Sequence, residues 1–263
     1  TTLNTLSLHD ALPIFSSATA RQPQLGVRGK VLIPGIDNPS AAQIPPYLPS
    51  RKLILGHFGS FSKTRHLARV VEAFEHLDSH DPEVLQDIEL HVYGGPLDEI
   101  SEAKIQTSRT RLHFQHFGRI EADPASGMSG RQRILGKMRS VDVLLLLHGE
   151  EAICEEYIPS KLYEYLWMQR PILAQVHRNP QMAGMLQALH HRVVVTGEDL
   201  QGNDRSAEQI AECIKRYWLE WKTSGLPDSG ASSPYTTQSA VANLQNFVFA
   251  KALATSDVGS SPA

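Results

Sequence analysis

Cysteine is nearly missing from this chain: Cys154 and Cys213 are the only two among 263 residues, too few for the disulfide framework of a secreted scaffold. A reducing cytoplasm fits such a chain. Long apolar runs are missing too, since the longest, Val143 to Leu147, falls far short of the ~20 residues that cross a bilayer, and no transmembrane helix is expected. Neither sign of charge prevails. With 25 basic against 28 acidic side chains, a formal net charge of −3 and a pI near 6.4, the chain has no global attraction to nucleic acid or anionic lipid, so any anion site must be local. The first fifteen residues carry no basic stretch, and His9, Asp10 and Pro13 interrupt their apolar residues, so they are not expected to act as a signal peptide. There is no GxGxxG, no Walker lysine-serine pair and no repeat of 20 to 50 residues. Twelve histidines invite a metal, but His113 and His116 fall in an expected strand, where an i, i+3 pair points to opposite faces, and no metal is expected.

What is present is the make-up of a soluble globular protein, 41% hydrophobic and 20% charged. The first residues stand apart. Thr5 to Ile14, TLSLHDALPI, is the translation of ACT CTT TCC CTA CAC GAC GCT CTT CCG ATC, which resembles a widely used sequencing adapter. Residues 1–14 are therefore expected to take no part in the fold, and the natural protein to extend further upstream.

From Arg51 onward, β-branched and leucine-rich runs alternate with stretches of helical period, the pattern of an α/β fold with a doubly wound parallel sheet. Strands are expected at 52–58, 88–93, 111–117, 141–147, 171–175 and 192–196, and helices at 97–107, 130–139, 159–168 and 180–189. Leu67, Val70, Val71, Phe74 and Leu77 mark the buried face of one more helix, and Ile210, Cys213, Ile214, Tyr217 and Trp221 that of another. A last apolar helix is expected near 238–252, with Val241, Leu244, Phe247 and Val248 on one side. The proline-rich stretch 15–50 reads as a connection between domains, 51–204 as one sheet domain, 205–254 as C-terminal helices and 255–263 as a disordered tail.

In an open parallel sheet, ligands gather at the carboxyl ends of the strands. The loop after the first strand, Gly59-Ser60-Phe61-Ser62-Lys63-Thr64-Arg65, combines a glycine turn, small polar residues and the cations Lys63 and Arg65 opening a helix, which suits a diphosphate: amides donate and Arg65 grips oxygens in a fork. Gly94 ends the second strand, and Gly118-Arg119 follows the third. Taken singly, each is also what an ordinary turn looks like. The fourth strand leads to Glu156-Tyr157-Ile158-Pro159-Ser160-Lys161, where Pro159 suits the first helical position and leaves the amides of Ser160 and Lys161 free to meet an anion. Glu164, one turn further, can accept two hydrogen bonds from vicinal sugar hydroxyls.

The stretch IPSKLYEYLWMQRPILA resembles the donor-binding segment of family 4 glycosyltransferases of the two-domain GT-B fold, and Glu156-x7-Glu164 matches their paired glutamates. ILGHFGSFSKTR, HFGRI and MRSVDVLLLLHG resemble other segments of the same domain in the same order, so the resemblance covers about residues 31–250. It implies that Glu164 holds the ribose hydroxyls, Glu156 the transferred sugar, Arg65 and Lys161 the diphosphate, and Gly118-Arg119 the base edge through the main chain. Gly59, Ser60, Gly94 and Ser160 complete the donor site. The chain departs from the family pattern at Ser60, where arginine is usual, and at Gln169, where a glycine usually ends the donor helix, so that Gln169 is expected in a left-handed cap.

The implied reaction moves a hexose from a nucleotide diphosphate sugar to an acceptor hydroxyl with retention, without a cofactor. Its implied setting is bacterial polysaccharide or lipopolysaccharide synthesis in the cytoplasm. The acceptor is a carbohydrate or a lipid-linked sugar, and the missing first domain would associate peripherally with the inner membrane. The chain as given would lack most of that domain and be inactive by itself. An epimerase or phosphorylase of similar fold, or a non-catalytic nucleotide-sugar-binding protein, remain the alternative readings.

Overall fold

The structure is a computed structural model, and it describes residues 33–37, 45–197, 202, 204–226, 228 and 233–256. The adapter-like start and the rest of the connecting stretch lie outside these residues. Six parallel strands form one sheet: β1 (Leu53–Phe58), β2 (Ile88–Tyr93), β3 (His113–His116), β4 (Val143–Leu147), β5 (Ile172–His177) and β6 (Arg192–Thr196). Their order is β3-β2-β1-β4-β5-β6. The chain therefore winds outward from β1 in one direction and from β4 in the other, which is the doubly wound arrangement expected from the sequence.

The helices fill the crossovers: α1 (Ala68–His80), the short α2 (Pro82–Leu85), α3 (Glu99–Thr107), α4 (Gly130–Ser140), α5 (Ser160–Trp167), α6 (Pro180–Ala188), α7 (Ser206–Ser224) and α8 (Thr237–Ser256). None of the described helices is long and apolar enough to cross a membrane. Alternation along the strands divides the core between two layers. Leu53, Leu55, Val143, Leu145, Leu147 and Leu173 pack with Val70, Phe74 and Leu77 of α1 and Ile210, Ile214 and Tyr217 of α7. Leu144, Leu146, Ile172 and Ala174 face Met138 of α4, Leu162 and Tyr165 of α5, and Met182 and Leu186 of α6. A run of one valine and four leucines such as β4 is unreadable as a surface strand, and all five of its residues are buried.

Three expectations shift. Pro159 is the N-cap of α5 rather than its first helical residue. Lys63 and Arg65 do not open a helix either, because α1 begins only at Ala68. Ser62 and Arg65 exchange backbone hydrogen bonds of 2.9 and 3.0 Å across a tight turn first. The last helix runs to Ser256, two residues into the expected tail; residues 257–263 lie outside those described. On α8, Val241 and Leu244 are exposed, while the side chains of Phe247 and Val248 lie outside the described set. Gln169 does adopt the left-handed conformation, with φ +52°.

At the amino ends of the strands, Arg170 is fully buried and gathers the chain around it. Its guanidinium donates to the carbonyls of Val141 (3.2 Å), Leu226 (2.9 Å) and Asp142 (3.0 Å) and to Asp228 (3.2 Å), and it stacks 3.4 Å above the Tyr47 ring. The Asp142 carboxylate, also fully buried, accepts from the Ile54 amide at 2.7 Å, from Ser50 at 2.9 Å and from the Tyr47 hydroxyl. Desolvation raises its pKa above the ordinary value despite these donors. Removing one partner of such a buried set leaves the others unpaired, so Arg170→Met should cost roughly 3–5 kcal/mol and lower Tm by about 10 °C. Thermal unfolding that leaves Tm unchanged would show that this network does not hold the base of the sheet.

Candidate functional site

A ligand-sized opening forms where the sheet divides. β1 pairs with β4 only through Leu55, Gly56 and His57, opposite Val143, Leu144 and Leu145. With β2 it stays paired to Phe58, and the Gly59 amide still donates to the Tyr93 carbonyl at 2.9 Å. Beyond His57, therefore, the two halves of the sheet part. The Phe58 amide has lost its β4 acceptor and donates instead to the Tyr165 hydroxyl of α5 at 3.0 Å, as a buried N–H must find a partner. Tyr165 is itself fully buried.

Above this point lies a cleft of about 320 Å³, lined by His57, Phe58, Gly59, Ser60 and Arg65 from the β1 side, Leu146 and Leu147 from β4, and Tyr157, Pro159, Ser160 and Lys161 at the start of α5. Its lining has two cations and no carboxylate. The first turn of α5 adds free amides and the positive end of a helix dipole, because the N–H groups of Ser160 and Lys161 precede any intrahelical acceptor. The whole arrangement suits an anion.

The floor and walls are fixed by the backbone. Gly94 donates to the Gly118 carbonyl at 2.9 Å, and a Cβ placed on Gly94 would lie 1.9 Å from the Gly59 carbonyl oxygen. Gly94 is thus glycine because two rim loops touch there. Arg65 folds back so that its Nε donates to the Ser60 carbonyl at 3.0 Å. The opposite wall is tied down by Asn179, whose amide donates to the carbonyls of Cys154 (3.0 Å) and Tyr157 (3.1 Å), and by His148, whose Nε2 lies 3.0 Å from the Tyr157 carbonyl. The Glu150 amide donates to the Thr64 carbonyl at 3.1 Å, joining the two walls at one end.

Of the ten residues singled out by sequence, Gly59, Ser60, Arg65, Ser160 and Lys161 line this cleft. Gly94 and Gly118 continue the rim from Gly59, and Arg119 is exposed beyond them. Glu156 is half-buried beside Tyr157, at the end of the 3-10 turn Ala152–Glu155. Glu164 is buried and already engaged on both oxygens, one by Arg131 of α4 and the other by Lys161 at 2.9 Å. Burial alone would raise its pKa, but Lys161 and Arg131 outweigh it and hold the carboxyl below the ordinary value. It is a charged acceptor with lone pairs to spare.

No protein-family model and no curated protein matches the chain. Among solved structures it is similar to WaaG, a glycosyltransferase involved in lipopolysaccharide biosynthesis, with TM-score 0.52 and 18% identity over 75% of this chain and 50% of that one. It is similar to the lipopolysaccharide outer core galactosyltransferase WaaB, with TM-score 0.52 and 16% identity over 91% and 61%. The α,α-trehalose 6-phosphate synthase of Burkholderia multivorans gives TM-score 0.51 and 12% identity over 81% and 45%. The likeness is one of fold, and the chain spans about half the length of these proteins.

Sequence reasoning missed Arg131, Tyr157, Tyr165 and His57. Arg131 has no motif around it, and Tyr165 and His57 read as core positions of a helix and a strand. His57 is 3% exposed. Burial, with the charges of Arg65 and Lys161 adding to it, pushes its imidazole down to about 4 from an ordinary 6.5. The folded protein thus holds His57 neutral where the unfolded chain would take up a proton. That contribution to stability is complete above pH ~6.5 and is lost as pH falls toward 4, by at most roughly 3 kcal/mol. His191, pushed down to about 4 by burial and by His190, acts with the same sign. Chemical denaturation between pH 7 and 4 should show stability falling, with a shallower fall in His57→Asn; equal slopes in the two proteins would contradict a neutral buried imidazole.

Proposed function

We propose that the cleft binds the diphosphate of a nucleotide sugar, and that this chain is the donor-binding part of a glycosyltransferase of GT-B type. The observation that carries the reading is the cleft's position and charge: two cations, a helix start and no carboxylate at the β1–β4 parting, in a fold shared with three sugar-transferring enzymes. The finer reading is a retaining, family 4-like transfer of a hexose to a carbohydrate or lipid-linked acceptor in bacterial polysaccharide or lipopolysaccharide synthesis, on the cytoplasmic side of a membrane. The paired glutamates support it.

In this reading the diphosphate lies between the Gly59–Arg65 turn and the start of α5. Arg65, Lys161 and the amides of Ser60, Ser160 and Lys161 stabilise the charge that grows on the diphosphate as the glycosidic bond breaks. Gly118 and Arg119 present main-chain groups to the base. Glu156 contacts the transferred sugar. Glu164, held in place by Arg131 and Lys161, accepts the ribose hydroxyls.

Charge-assisted hydrogen bonds contribute about 1.5–3 kcal/mol each, so Glu164→Ala should weaken binding of nucleoside diphosphates by roughly ten- to several-hundredfold. The same change frees Lys161 and Arg131 from their carboxylate, so pyrophosphate should bind no more weakly than before. Titration calorimetry with the two ligand classes makes the comparison. Unchanged nucleoside diphosphate affinity in a folded variant would sink the ribose assignment.

A further inference from the structure

His57 is the one imidazole of the cleft lining, and its two nitrogens stand in opposite situations. Nδ1 lies 3.1 Å from the Leu145 carbonyl oxygen. A carbonyl only accepts, so Nδ1 carries the hydrogen and Nε2 bears the free lone pair of the neutral ring. The ring is held in this pose by strand pairing opposite Leu145 and by Phe61, stacked on it at 4.8 Å between centroids. Nε2 itself is buried and meets no protein donor. It lies directly under the first rim loop, since a Cβ added to Gly59 would sit 3.6 Å from it. A buried acceptor left unmet costs free energy, and proteins keep few of them without a use.

The chemistry of that atom is restrictive. A lone pair on a neutral imidazole repels phosphate oxygens, and in hydrogen bonding it receives only O–H or N–H. Its neighbours Arg65 and Lys161 oppose protonation as well, so the ring does not become a third cation of an anion site. Beside two groups suited to the diphosphate, the cleft therefore holds one group suited to something else on the same ligand.

We propose that His57 Nε2 accepts a hydrogen bond from a hydroxyl of the bound nucleotide sugar, making His57 a specificity-determining contact. The inference rests on the nucleotide-sugar reading of the cleft. The hydroxyl comes either from the ribose or from the transferred sugar.

The test compares wild type with His57→Asn, whose shorter amide can still donate to the Leu145 carbonyl but offers nothing at the Nε2 position. Calorimetry uses uridine, adenosine and guanosine diphosphates and their glucose conjugates. A loss of about three- to tenfold, the size of one neutral hydrogen bond, is expected in the variant. A loss for the glucose conjugate alone assigns the hydroxyl to the transferred sugar; an equal loss for both assigns it to the ribose. As a second measurement that needs no variant, the ¹⁵N resonance of wild-type His57 Nε2 should move upfield on saturation with the tightest ligand, as an acceptor nitrogen does when it gains a donor. Wild type and variant binding every ligand alike, with a stationary Nε2 resonance, overturns the role of His57 and leaves the nucleotide-sugar reading standing. Wild type binding none of the six ligands overturns both.

Discussion

The fold turns on the place where β1 and β4 cease to pair. Three residue pairs join these strands, after which β1 stays with β2 and β4 with β5. A sheet that opens there must dispose of the freed backbone groups, and the Tyr165 hydroxyl receives the Phe58 amide while lying 3.4 Å from the Leu145 carbonyl. One phenol thus closes the bottom of the opening and fixes α5 beside it. Because α5 starts at the mouth of the same opening, the helix that seals the parting also aims its positive end at whatever enters.

The two ends of the sheet are built on different principles. At the amino ends, the buried Arg170, Arg139 and Asp142, with the exposed Asp228 bridging the two guanidiniums, form a set in which nearly every polar atom meets a protein partner. This end is a clamp. At the carboxyl ends the cations Arg65 and Lys161 stand in a cleft wall, the helix amides of Ser160 and Lys161 remain open, and His57 Nε2 is unmet. Backbone amides and a ring nitrogen left without protein partners, in one concave place beside two cations, are groups a ligand would satisfy. Glu164 links the two characters, being buried and ion-paired yet placed one turn behind the helix start.

All six strands and the longer helices between them were legible in the sequence, the four-residue α2 alone being missed, because burial on both faces leaves near-continuous apolar runs, as in β4, and because α1 repeats its apolar residues every three to four positions. The rim loops were legible from glycine. Other features depend on neighbours far along the chain. The contact of Gly94 with the Gly59 carbonyl and the pairing of Arg131 with Glu164 across 33 positions leave no local pattern. His57 is concealed for another reason: within LILGHF it occupies a strand position facing the same layer as Leu53 and Leu55, and only the three-dimensional placement shows that one of its nitrogens lacks a partner.

The central claim is that a nucleoside diphosphate seats between the Gly59–Arg65 turn and the start of α5. Backbone amide shifts in an NMR titration of the whole chain with the nucleoside diphosphates and their glucose conjugates test it most directly. The largest changes should fall on Ser60, Ser160 and Lys161, whose amides are the proposed phosphate donors, and on Gly59 beside them, whose amide stays bonded to the Tyr93 carbonyl, with little movement in the polar hollow lined by Asp78, Arg109 and Arg111. Shifts concentrated in that hollow, or none at the β1–β4 parting with saturating ligand, would contradict the account.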